Sequence, residues 1–251
     1  MTTLSGKSIV CTGAGSGIGR AASVIAARCA ANVVVADIND RGGEETVAMI
    51  RKDGGKASFI HTDISKESDV QRMVQHTIDT YGRLDGAFNN AAIPHVAKVV
   101  HEISLAEWER NIGVTLNGTF LCMKYEIAAM LKTGGGAIVN TSSGAGLRGF
   151  HMGAEYCAAK HGVIGLSRSA AIDYAEKNIR VNVIAPGAVR TAMLEASLRD
   201  DPKLESYLAS TFPMKRLGEP SELGEGAVWL LSDAASFVTG ICMPIDGGYM
   251  A

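Results

Sequence analysis

The chain has little that would send it to a nucleic acid, a membrane or an oxidising compartment. Its 24 Lys and Arg face 26 Asp and Glu, for a net charge of −2, with the two signs interspersed. No basic stripe or long charge run is present to grip a phosphate backbone or an anionic bilayer, so neither nucleic acid nor membrane is expected as a partner. Apolar stretches are broken by Arg, Asp or Lys well before the roughly 20 residues needed to span a bilayer. The opening residues, Met1-Thr-Thr-Leu-Ser-Gly-Lys7, have neither a basic n-region nor an apolar h-region, so a secretory signal is not expected. Five cysteines (Cys11, Cys29, Cys122, Cys157, Cys242) are scattered, odd in number and without a Cys-x-x-Cys pair. That suits reduced thiols in a cytosol, and a cytoplasmic location is expected. The six histidines show no ligand spacing, so no metal site is expected. No linker, repeat or low-complexity segment divides the 251 residues, which read as a single domain, 1–251, with a sizeable core.

What is present is regular alternation of strand and helix patterns. Lys7-Ser-Ile-Val-Cys-Thr12 is a short apolar run, followed by Gly13-Ala-Gly-Ser-Gly17-Ile-Gly19 and an Ala-rich helix pattern from Arg20 to Ala31. Strand, glycine turn and helix in that order make a phosphate cradle, because glycine permits the tight turn and the helix N-terminus offers free N–H groups. Gly13, Ser16, Gly17, Ile18 and Gly19 are its candidate residues. Asn32-Val-Val-Val-Ala-Asp37 is the next strand and ends in a carboxylate eighteen residues beyond Gly19, near the spacing of a ribose-binding acid. With the uncharged Ile38 beside it, Asp37 favours NAD over NADP; Arg20 and Arg41 read as surface or helix-start residues. Helix patterns at about 41–53 and 66–81 alternate with strands at about 56–61 and 84–88. Asp63 reads either as an N-cap or Asx-turn residue or, with Ile64, as an adenine contact. Asn89-Asn90-Ala91-Ala92 follows the fourth strand, with small residues that let a cofactor approach the backbone. Alternation of this kind predicts an α/β fold, a Rossmann-type, doubly wound parallel sheet with helices on both faces, its ligands at the carboxyl ends of the strands.

One long helix pattern runs from Leu105 to about Leu131. The strand at Gly136-Ala-Ile-Val-Asn-Thr leads to Ser143, and a further helix spans about 155–176. Tyr156 and Lys160 are four residues apart on it and share a face. An ammonium nearby lowers the pKa of a phenol, so the two form a candidate proton-transfer pair, with the Ser143 hydroxyl reaching the same point from the sheet side. A surface Tyr and Lys that merely neighbour each other would look the same. Arg180 to Gly187 is a sixth strand with its exit turn at Pro186 and Gly187; Val189 and Thr191 follow, a backbone amide and a hydroxyl for a flat ligand ring. Residues at about 192–216 read as a substrate lid or an ordinary helical hairpin. Ser221 to Leu231 is a helix, and Phe237 to Ile245 a last strand.

Taken together, Thr12-Gly-x-x-x-Gly17-x-Gly19, Asn89-Asn-Ala-Ala, Ser143, Tyr156-x-x-x-Lys160, Val181-Asn-Val-Ile-Ala-Pro-Gly187, Thr191 and Asp246-Gly-Gly resemble the short-chain dehydrogenase/reductase family over essentially the whole chain. The resemblance implies a seven-stranded sheet, a homotetramer, and NAD-dependent hydride transfer between a secondary, cyclic or hydrophobic alcohol and its ketone. It implies that Tyr156 is the acid/base, that Ser143 binds the reacting oxygen, that Lys160 lowers the Tyr156 pKa and binds ribose, and that Thr191 and Val189 hold the carboxamide. Thr115 stands where the family usually has an Asn that helps hold a relay water; a working enzyme with an altered relay is expected. Ile93, His95, Met152, Glu155 and Met193 are the candidate substrate contacts, with Glu155 and His95 placed either to meet a second hydroxyl or simply at the surface. An NADPH-dependent ketone or 3-oxoacyl reductase is the alternative within this class. An NAD-sensing binding protein of low activity is the alternative outside it.

Overall fold

The computed structural model describes residues 3–191, 194–195 and 202–251. Among them, seven strands form one sheet in the order β3-β2-β1-β4-β5-β6-β7. They are β1 (Ser8–Thr12), β2 (Asn32–Asp37), β3 (Lys56–His61), β4 (Gly86–Asn89), β5 (Gly136–Thr141), β6 (Ile179–Pro186) and β7 (Cys242–Ile245). Every pairing is parallel. The order reverses between β1 and β4, which opens a crevice at the carboxyl ends of those two strands.

Strand residues alternate between two cores, as the period of two requires. Ile9, Cys11, Val33, Val35 and Val139 pack on one face, against α1 (Gly17–Arg28) and α8 (Pro220–Leu231). Val10, Val34, Ala36, Ile138 and Val181 pack on the other, under α3 (Glu67–Tyr81), α5 (Gly118–Thr133) and α6 (Ala154–Tyr174). The strands are apolar on both faces because helices cover both. The remaining helices are α2 (Asp40–Lys52), α4 (Leu105–Asn111) and α7 (Pro202–Thr211).

Three boundaries differ from the sequence reading. Helix α1 begins at Gly17, not Arg20, so the glycine turn runs into its first helical turn. The last strand is only Cys242–Ile245, and Phe237 is fully exposed. The expected helix from Leu105 to Leu131 is not uniform: α4 passes into a π-helical stretch, Ile112–Asn117, before α5 begins. There the helix leans closely on the β3–α3 loop, since a Cβ on Gly118 would sit 2.7 Å from Ile64 Cδ1. π-Turns widen a helix and leave backbone groups out of register with their usual partners, and they recur at functional sites.

Candidate active site

Because the strands are parallel, the sequence-selected residues that end them share one edge. Gly13 follows β1, Asp37 ends β2, Asn90 and Ala91 follow β4, Ser143 follows β5, and Gly187 follows β6. The glycine turn is built for close approach. Gly13 and Gly17 have φ of +63° and +53°, and a Cβ on Gly13 would come within 2.9 Å of Ala91 Cα. On Gly19 it would lie 2.2 Å from the Gly13 carbonyl oxygen. Gly17 faces Thr191, whose methyl carbon would be 3.2 Å from an added Cβ, so the exit of β6 lies over the turn. Ser16 is the N-cap of α1, yet its side chain makes no capping bond. The first-turn N–H groups and the positive end of the helix therefore face outward, the donor set a pyrophosphate needs.

Asp37 braces the turn. Its Oδ2 accepts from Gly15 N at 2.7 Å and its Oδ1 from Asn39 N at 2.8 Å. Each oxygen keeps a lone pair for a further donor. Arg20 is not a plain surface residue. Its guanidinium donates to Thr46 Oγ1 at 2.9 Å, to Gly42 O at 3.1 Å and to Gly15 O, and pairs with Glu45. It is thus spent on joining the glycine turn to α2. Arg41 is exposed and pairs with Glu45. Ile38 is 62% exposed beside Asp37.

Asp63 forms a local turn. Asp63 Oδ1 accepts from Ser65 N at 3.1 Å and Ser65 Oγ at 2.6 Å, an Asx-type turn ahead of α3. Its carboxyl is held below the ordinary value: burial opposes this, but the Ser65 bonds and the Lys66 charge outweigh it. Ile64 is buried, with its side chain against Gly118 rather than facing the crevice.

Helix α6 brings Tyr156 and Lys160 to Ser143. The Ser143 hydroxyl lies near enough to the Tyr156 hydroxyl to pull its pKa down, while Ser143 Oγ accepts from Ala145 N at 3.1 Å. Lys160 Nζ lies 5.5 Å from the Tyr156 ring centre and donates to Thr141 O at 2.7 Å. Burial opposes the lowering of the Tyr156 pKa expected from Lys160. Burial pushes the phenol up to about 12, against the pull of Ser143. Burial also pushes the Lys160 ammonium down to about 7. A lysine neutral at that pH lends the phenol little charge.

Thr115 is fully buried in the π stretch. Its carbonyl accepts from Thr119 Oγ1 at 2.8 Å, while its own hydroxyl has no protein partner. Two other buried groups of this region are unpartnered, the hydroxyl of Thr141 and Asn111 Oδ1.

The candidate substrate residues separate into three cases. His95 is exposed, and its ring lies 5.1 Å from that of Phe150 and 6.4 Å from that of Tyr156. Ile93 and Met152 are half-buried on the same rim, Met152 in a left-handed conformation at φ +59°. Glu155 is corrected outright. It is 0% exposed and accepts from Val96 N at 2.7 Å, so it anchors the 93–98 loop from below instead of facing a ligand. Asn111 Nδ2 holds the same loop through Pro94 O at 3.1 Å. Met193 lies outside the described residues.

Phe150 and Tyr249 were not singled out in the sequence. Phe150 shares a cleft of about 270 Å³ with Met152, Lys98 and Val100. Tyr249 stacks on Phe212 at 4.8 Å and takes the Arg148 guanidinium over its ring at 4.0 Å, roofing the turn after Ser143. Both stand in irregular segments, where no periodicity marks a side chain's direction.

A parallel sheet with its glycine turn at the reversal point, and a Ser-Tyr-Lys group at the same edge, define a nicotinamide-type oxidoreductase. The chain belongs to the short-chain dehydrogenase/reductase family, and it interconverts a secondary alcohol and its ketone. A family model described as enoyl-(acyl carrier protein) reductase matches residues 13–250. The chain is 52% identical over 252 residues to a 2,5-dichloro-2,5-cyclohexadiene-1,4-diol dehydrogenase of Sphingobium indicum, covering 100% of both. It is 42% identical to a cyclohexanol dehydrogenase of an Acinetobacter species, over 97% of this chain and 94% of that one. The crystal structure of levodione reductase is similar with a TM-score of 0.94 and 36% identity, over 97% of each chain. The family implies a nicotinamide cofactor. No helix among the described residues is long and apolar enough to cross a membrane.

Proposed function

We propose that this chain is an NAD-preferring dehydrogenase of cyclic secondary alcohols, with ring-borne diols among its substrates. The reading is carried by the convergence of Ser143, Tyr156 and Lys160 at the strand edge that also bears the glycine turn and Asp37. Gly13, Ser16, Gly17, Ile18 and Gly19 would hold the pyrophosphate. Asp37 would accept from the adenosine ribose, with Ile38 alongside and the Asp63–Ile64 backbone near the adenine. Asn90 and Ala91 would line the crevice floor, and Pro186, Gly187, Val189 and Thr191 would meet the carboxamide. With Arg20 committed to Gly15, Gly42 and Glu45, the acid at Asp37 would repel the extra phosphate of NADP. The names of the cyclohexadienediol and cyclohexanol relatives support the ring-alcohol class.

The chemistry a bound nicotinamide supplies is acceptance or donation of hydride. The chain's own part is the proton. In the oxidative direction Tyr156 takes the hydroxyl proton of the alcohol while Ser143 hydrogen-bonds the same oxygen. Lys160, held by Thr141 O, draws the phenol down only while it carries its proton, so its help fades above about pH 7. Acid–base help of this kind contributes about 10²–10⁴-fold. The Thr115 segment supplies the carbonyl and hydroxyl nearest in role to the family's relay Asn.

The remaining organisation follows the same reading. Residues 1–251 form one domain, and the 192–216 region acts as a lid. Of that region, α7 is tied to the β6 exit by the Arg190–Glu205 ion pair, and Phe212 packs at Gly187. A cytoplasmic homotetramer would cover exposed apolar groups such as Phe120, Ile172 and Phe237. The test is side-by-side fluorescence titration with NADH and NADPH, followed by oxidation of cyclic alcohols and diols. NADH should bind at least about tenfold tighter, about 1.4 kcal/mol. Equal or tighter NADPH binding would sink the Asp37 assignment, and a protein that binds NADH but turns over no ring alcohol would sink the substrate class.

A further inference from the structure

Helix α5 buries a carboxyl with no cation to meet it. Glu126 is 0% exposed, and its Oε2 accepts from Asn89 Nδ2 at 2.9 Å. The same nitrogen donates to Asn140 Oδ1 at 3.0 Å, and Asn140 Nδ2 donates to Ser167 Oγ at 2.8 Å. One row of side chains thus joins α5, β4, β5 and α6. The strand ends it ties together lead directly to Asn90–Ala91 and to Thr141–Ser143, and α6 carries Tyr156 and Lys160.

The row is not satisfied as it stands. Glu126 Oε1 and Asn89 Oδ1 are both buried without a partner. They are the remaining oxygens of two groups already joined by a hydrogen bond through Asn89 Nδ2 and Glu126 Oε2. A carboxylate there leaves two acceptors facing a shortage of donors, which is costly in a dry interior. A single proton on Oε1 converts one of them to a donor and satisfies both. Burial also pushes the Glu126 carboxyl up to about 8, against the pull of Asn89.

The titratable groups around it offer no alternative. Cys11 on β1 and Cys122 on α5 are thiols that burial pushes up, so they stay neutral. On α3, which packs against α5, Glu67 is engaged by Lys124 and Tyr125, and Asp69 by Arg72. The partners from β4, β5 and α6 are Asn89, Asn140 and Ser167, all uncharged.

We propose that Glu126 is a neutral carboxylic acid in the native protein, donating Oε1–H to Asn89 Oδ1, and that this clamp positions the ends of β4 and β5 for dinucleotide binding. Glu126 is a positioning residue that acts through Asn89. The proton stays on the chain throughout and is not consumed.

The test compares wild type with Glu126→Gln, whose amide presents the same donor and acceptor as the neutral acid. A carboxyl held neutral in the native state but ionised when unfolded makes stability fall as pH rises, from about 4.3 to its native pKa. The Tm of E126Q should therefore gain on that of wild type by about 3 °C per pH unit between about pH 5 and 8. A wild-type-minus-E126Q infrared difference spectrum at neutral pH should hold a protonated-carboxyl band. The NADH Kd of wild type should weaken about fivefold between about pH 8 and 9.5, as the clamp loses one hydrogen bond, while that of E126Q stays within about twofold over the same range. A Tm difference independent of pH, or an E126Q that does not fold, overturns the neutral acid. Coincident Kd profiles overturn the positioning role. The Tm comparison uses no dinucleotide, so failure to bind NADH would count against the cofactor reading and leave the Glu126 proton to be judged by Tm.

Discussion

Replacing Glu155 by Ala tests whether the substrate loop is held from beneath. Glu155 sits one residue before Tyr156 and is 0% exposed; its Oε1 accepts from Val96 N at 2.7 Å. Alanine leaves the Val96 N–H without its acceptor and opens a space under the loop. A hydrogen bond to a charged group contributes about 1.5–3 kcal/mol, and a buried donor left unpaired costs a similar amount. Against this, Glu155 Oε2 is itself buried without a partner, so part of the native carboxylate's burial cost is relieved by the change. The net loss should be about 2 kcal/mol, or a fall in Tm of about 4–8 °C for a chain of this size. The Pro94–Asn111 bond remains, so the loop should loosen rather than detach. The expected pattern is a KM for the cyclic alcohol raised about tenfold, with NADH affinity within about twofold of wild type, because the cofactor crevice lies on the other side of β4. Scanning calorimetry and initial-rate kinetics measure both. An unchanged Tm together with an unchanged KM would refute the anchoring role. A large loss of NADH affinity would mean that Glu155 serves the whole strand edge and not the loop.

Three further outcomes are expected. Tyr156→Phe removes the hydroxyl that carries the proton; turnover should fall by at least about 10²-fold with NADH binding nearly intact, and retained turnover would sink the assignment. Lys160 is pushed down to about 7, so between that pH and about 10.4 the unfolded chain binds a proton the native chain does not. Stability of the wild type should therefore rise with pH through that window relative to Lys160→Met, and a flat difference in calorimetric Tm would show that Lys160 is not buried as described. Thr115→Asn should change the rate or the pH profile of turnover; if stopped-flow and steady-state profiles both match wild type, the altered-relay idea is wrong.

Much of the fold was legible because it rests on local chemistry. Strand apolarity, glycine turns and helix periodicity are all short-range signals, and the strand ends follow from them. Ser143, Tyr156 and Lys160 could be brought together on paper because a strand end and one helix face determine their meeting. Glu155 departs from its expectation because it is a charged residue beside a functional one, and sequence alone does not say whether such a residue faces the cavity or supports its wall. The Tyr156 pKa shows the same limit: a neighbouring charge is visible in a sequence, whereas the burial that opposes it is a property of the packed molecule.

The π stretch shows where local reading ends. Ile112–Asn117 carries no residue that breaks a helix outright, and its pattern continues that of α4 and α5. Its cause is tertiary. Gly118 is pressed against Ile64, and Leu116 against Gly162 of α6, where an added Cβ would lie 2.8 Å from Leu116 Cδ2. A helix held at two points by different neighbours takes up the mismatch between them by widening. Thr115 lies at the centre of that widened turn, with its carbonyl turned to Thr119 and its hydroxyl left without a protein partner. An Asn at this position would place an amide in the same buried space, with two donors in place of the hydroxyl's one. The residue type at 115 thus sets how many hydrogen bonds the turn can offer a water, while the neighbours at Ile64 and Gly162 set that the turn is there at all. On this basis, relaxing the contact with Gly118 by Ile64→Ala should disturb the π turn and lower turnover together, and an unchanged steady-state kcat would refute the link.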